Sequence, residues 1–77
     1  TAALDAEAEH AVFERFRHLA KGRTTIIISH RFPTVRMADR ILVLEHGKIV
    51  EDGTHAALLA ANKAYAHLYN LQAAGYL

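Results

Sequence analysis

Apolar and polar positions fall into blocks along this chain, and each block has its own period. Val12, Phe13, Phe16, Leu19 and Ala20 recur at spacings of three and four, which places them on one face of a helix. Asp5 stands where a side chain caps such a helix by accepting from the free amides of its first turn. Glu7 and Glu9 follow, where the positive end of the helix dipole favours carboxylates. Lys21 suits the last turn, and Gly22 fits the left-handed residue that ends many helices. The next block, Thr24-Thr25-Ile26-Ile27-Ile28-Ser29, is β-branched and does not alternate. That is the pattern of a strand buried on both faces, as in a parallel sheet covered by helices. Polarity returns abruptly at Ser29, His30 and Arg31. Residues 32–38 read as a short irregular or helical connector, with Pro33 acceptable in a first helical turn.

Arg40-Ile41-Leu42-Val43-Leu44-Glu45 has a continuous apolar centre and predicts a second strand. His46-Gly47 then makes a tight turn, the glycine supplying the positive φ such hairpins need. Lys48-Ile49-Val50-Glu51 returns antiparallel, and Asp52-Gly53 turns the chain again. Thr54 caps a closing helical stretch, without a capping box because Ala57 occupies the position where Glu or Gln would complete one. Leu58, Leu59, Tyr65, Leu68, Tyr69 and Leu71 form its apolar stripe, and Asn62-Lys63 splits it into two short helices. The order is helix, strand, short connector, strand, strand and closing helices. This is the back half of an α/β domain. The chain begins at Thr1 rather than methionine, and its first residues read like the tail of a loop. The expectation is a fragment of a longer protein.

Composition narrows the functional classes. The 77 residues are 52% hydrophobic and 22% charged with one proline, a packed globular profile for one small domain. Nine Lys and Arg against eight Asp and Glu leave a net charge of +1, which gives no electrostatic case for a nucleic-acid partner. There is no cysteine, so disulfides and thiolate metal sites are excluded. The longest apolar run, Ala56 to Ala61, is far short of the ~20 residues a membrane-spanning helix needs.

His30 is the residue most open to a chemical role. Ligands of open α/β sheets bind beyond the carboxyl ends of the strands, and an imidazole placed there can address a substrate oxygen or a water. The alternative is a histidine that only caps the strand end. Asp5 divides the same way, between helix cap and function. The other histidines show no metal-ligand spacing: His10 and His18 lie roughly 80° apart around one helix, and His46, His55 and His67 read as solvated. No glycine-rich phosphate loop and no nucleophile–base pair is present.

Taken together, the motifs resemble the ATP-binding cassette (ABC) ATPases. Thr1-Ala2-Ala3-Leu4-Asp5 is similar to the D-loop, usually Ser-Ala-Leu-Asp. About twenty-five residues later, Ile26-Ile27-Ile28-Ser29-His30-Arg31 resembles the switch-histidine strand. Ala38 to Leu44, Gly47 to Glu51, Gly53-Thr54-His55 and Ala66 to Gln72 resemble the exporter-type cassette, so the likeness runs through the whole chain. The resemblance implies part of a P-loop NTPase-like domain, residues 1–77 being its C-terminal part. It implies ATP and Mg2+ for the intact protein and none for this fragment alone. His30 would be the catalytic residue at the γ-phosphate and attacking water. Ala2, Ala3, Leu4 and Asp5 would lie at the nucleotide and dimer interface. The implied partners are the rest of the same domain, a second cassette and transmembrane domains, at the cytoplasmic face of the cell membrane.

The family's phosphate-binding loop, Q-loop, signature motif and Walker B carboxylates all precede the D-loop. The intact protein is therefore expected to be an ATPase and this chain alone is not. Ala2 replaces the usual D-loop serine, Phe32-Pro33-Thr34 stands for the common Leu-Ser-Thr, and Ala56-Ala57 stand where Glu is frequent. Two other readings stay open at this level. One is a DNA-repair or chromosome-type ATPase of the same superfamily, and the other is a non-catalytic α/β interaction module.

Overall fold

The computed structural model of the chain describes residues 6–76. Helix α1 spans Ala6–Ala20 and stops where expected, with Gly22 left-handed at φ 74° and Arg23 N–H bonded to the Ala20 carbonyl at 2.9 Å. Asp5, its expected cap, lies outside the described residues. The apolar face of α1 forms but is not buried: Val12, Phe16 and Leu19 are exposed, while Phe13 and Ala20 are half-buried.

The α/β class holds, with helices packed on a small sheet, but the strand expected over 24–29 does not form. Those residues carry no regular secondary structure, and Ile26 and Ile28 are 85% and 96% exposed. A strand needs neighbours to satisfy its backbone groups. The two strands among the described residues, β1 (Ile41–Glu45) and β2 (Lys48–Gly53), pair only with each other.

The β1–β2 hairpin closes through His46 and Gly47, at φ 51° and 75°. Positive φ at both turn residues matches the right-handed twist of the strands. Glu45 pairs with Lys48 and Leu44 with Ile49, after which the register shifts and Val43 faces Glu51. Val50 is thus the extra residue of a bulge. The bulge turns Glu51 into the interior, and the pairing continues to Gly53 opposite Ile41. The turn expected at Asp52-Gly53 is therefore strand. A bidentate ion pair holds Asp52 in place, with Arg40 Nε 2.8 Å from Oδ1 and an Arg40 terminal nitrogen 2.6 Å from Oδ2.

Thr54 caps α3 (His55–Ala61), its hydroxyl accepting from Ala57 N–H at 3.1 Å. Asn62 ends α3 in the left-handed region at φ 55°, and α4 (Ala64–Ala73) follows, so the closing stretch is split as its sequence predicts. The core lies between the hairpin and these helices. Phe32, Ile41, Leu58 and Tyr65 are its buried centre, with Val35, Val43, Leu59 and Tyr69 packed around them.

Candidate functional site

His30 follows the unpaired isoleucine stretch, and the chain bends there before a single helical turn, α2 (Phe32–Val35), with Pro33 in its first positions. Three contacts fix that bend. The Ser29 hydroxyl accepts from Arg31 N–H at 3.0 Å, a local side-chain turn that serine makes readily. From the far end of the chain, the Gln72 amide donates to the His30 carbonyl at 2.5 Å. The oxygen of the same amide accepts from Phe32 N–H at 3.2 Å. The Phe32 ring then packs edge-on against Tyr65 and Tyr69, with centroids 5.1 and 5.4 Å away. The bend is therefore fastened to one face of α4, since Tyr65, Tyr69 and Gln72 follow one another at helical spacing.

The His30 side chain itself is exposed, and among the described residues no hydrogen bond reaches its ring. Its position is set by the backbone contacts on either side of it. An open, largely apolar groove runs beside it, past Phe32, Leu42, Leu44 and Leu68. The remaining sequence-predicted site residues, Ala2, Ala3, Leu4 and Asp5, lie outside the described residues, so no geometry joins them to His30 here.

Two residues turn out to matter that the sequence reading passed over. Glu51 is 7% exposed, and its Oε2 accepts from the Tyr65 backbone N–H at 2.9 Å. Lys63, at the N-cap position of α4, makes no side-chain cap bond, so Glu51 caps this helix from a distance. The second is His55, read as solvated from sequence. Instead it is half-buried, with Nδ1 2.7 Å from the Tyr65 hydroxyl and its ring edge-on to Tyr65 and Tyr69. A histidine opening α3 is carried inward because the helix docks onto α4. Burial, and then Tyr69, push the Tyr65 phenol above its ordinary value. His10, His18, His46 and His67 are exposed, as expected. Among the described residues no group of three or more His, Asp or Glu side chains could hold a metal ion.

No family model matches the chain. Individual relatives do. It is 57% identical over 72 residues to the ATP-dependent lipid A-core flippase of Bordetella pertussis, covering 94% of this chain and 12% of that protein. The protein of the same name from Polaromonas sp. is 55% identical over 71 residues, covering 92% of this chain and 12% of its own length. The chain thus spans about an eighth of the curated relatives it matches. Among solved structures, a bacterial Atm1-family ABC exporter with ATP bound superposes with a TM-score of 0.81. That match has 40% sequence identity and covers 94% of this chain and 13% of the exporter chain. The motif series from Ile26 to Gln72 and the fold around it thus agree with proteins that are themselves ABC exporters. The chain belongs to that family, as a C-terminal fragment of its ATP-binding domain.

Proposed function

We propose that this chain supplies the switch histidine of an ABC exporter's ATP site. In that reading, ATP is bound by the intact domain, and one His30 ring N–H is directed at a γ-phosphate oxygen, where negative charge grows during transfer. The other nitrogen lies toward the attacking water, and positioning plus charge stabilisation is most of what phosphoryl transfer asks of the protein. The observation that carries the reading is the exposed, otherwise unbonded His30 ring on a bend whose backbone is fixed at three points. Ala2, Ala3, Leu4 and Asp5 form the D-loop facing a second cassette. Transmembrane domains convert closure and reopening into transport, with this domain at the cytoplasmic face of the membrane. No described helix is long and apolar enough to cross a membrane.

In the same reading, Mg2+ comes with the ATP that the intact domain binds. The relatives' names favour a transporter over a chromosome-type ATPase. The test is His30→Ala in the full-length transporter. ATP turnover at saturating ATP should fall by ~10²–10³ while ATP affinity changes little. Turnover near wild type would overturn the assignment.

A further inference from the structure

The function of His30 depends on a ring that makes no bond of its own, so its direction is set by the backbone on either side. That backbone is gripped by one side chain. Gln72 donates to the carbonyl of His30 and accepts from the N–H of Phe32, closing on both sides of Arg31 as a neighbouring strand would. We propose that Gln72 is a positioning residue for His30, so that the last helix sets the aim of the switch histidine. The proposal rests on His30 being the residue at the γ-phosphate.

The chemistry of the grip restricts what can replace Gln72. It needs a donor and an acceptor on one planar group, which the Gln72 amide offers at this reach. Glutamate keeps the acceptor for Phe32 but sets an oxygen against the His30 carbonyl. Methionine keeps length and apolar body but makes neither bond. The helix face is rigidly held, since Tyr65 and Tyr69 bracket Phe32 and Glu51 caps the first turn of α4. Losing the amide therefore frees the bend without removing its anchor at Phe32. Sub-ångström to 1 Å errors in a phosphate-facing group are enough to slow chemistry by up to ~10²-fold.

The experiment is a double-mutant cycle in the full-length transporter, comparing wild type, Gln72→Met, His30→Ala and the double variant. Turnover is read by single-turnover hydrolysis of labelled ATP, with KM from steady state. Gln72→Met should lower turnover about tenfold, with KM for ATP within about twofold of wild type. In the His30→Ala background the same substitution should have no further effect, because there is no imidazole left to aim. A purely structural role would instead slow both backgrounds by the same factor. Additive losses, or a Gln72→Met turnover equal to wild type, would overturn the proposal. If His30→Ala itself turns over normally, the reading of His30 has failed, a result distinct from failure of Gln72. Should Gln72→Met not fold, the isosteric Gln72→Glu runs through the same cycle with the same expectations.

Discussion

Replacing Glu51 by alanine should destabilise the ATP-binding domain out of proportion to its place on a small hairpin. The wild-type carboxylate is the acceptor for the Tyr65 N–H at the start of α4, in a buried setting where water cannot take its place. A hydrogen bond to a charged acceptor is worth about 1.5–3 kcal/mol, and loss of a helix cap about 0.5–2 kcal/mol; these overlap here. Against this, Glu51 Oε1 has no partner among the described residues, and its removal returns part of the loss. The net expectation is about 2 kcal/mol, hence a fall in Tm of about 4–8 °C for a domain of 150–250 residues. Glu51→Gln should fall roughly halfway, keeping an acceptor for Tyr65 while burying an amide NH2 without a partner. Thr54→Ala, which removes the exposed cap of α3, serves as a reference at about 1 kcal/mol. The assay is thermal unfolding of the intact domain. A Glu51→Ala variant melting with wild type, while Thr54→Ala shifts, would refute the long-range cap.

Two further outcomes follow from the hairpin. His46→Asn should be tolerated, because asparagine accepts positive φ, whereas Gly47→Val should cost on the order of 1–3 kcal/mol in the same melts; equal melting temperatures would refute the turn assignment. The Arg40 guanidinium, chiefly through its hydrogen bond, holds the Asp52 carboxyl below its ordinary value. With the folded value the lower one, this contribution is complete above the unfolded carboxylate value and is lost as pH falls through the folded one. The stability difference between wild type and Asp52→Asn should therefore be present at neutral pH and vanish in acid; a pH-independent difference would refute it.

Much of this was legible in the residue pattern, and the exceptions share a cause. Gly22, His46-Gly47, Thr54 and Asn62-Lys63 act through their own few residues, so local rules found the helix ends, the hairpin and the split in the last helices. Glu51 was missed because its burial depends on a bulge at Val50, and a bulge reverses the face of every residue after it. The same shift kept Asp52-Gly53 in the strand. His55 was missed because its partners lie on the next helix. The isoleucine stretch was read as a strand buried on both faces, and it is neither strand nor buried, because no strand pairs with it among the described residues. His30 was singled out by its place after that stretch and by the family motif. Gln72 could be found by neither, since its contacts lie some forty residues upstream.

That separation bears on the order in which the molecule assembles. The Arg40–Asp52, His55–Tyr65 and Glu51–Tyr65 contacts close loops of 12, 10 and 14 residues, whereas Gln72 reaches Phe32 and His30 across 40 and 42. Tripling a loop adds only about 1 kcal/mol of closure entropy, but that penalty falls entirely on the bend at His30. The hairpin and the last two helices can therefore collapse as a near-neighbour unit onto which the histidine-bearing bend docks last. Being last to dock, it is also first to open, so a destabilised variant would lose the fixed backbone at His30 while most of its helices and hairpin are still in place.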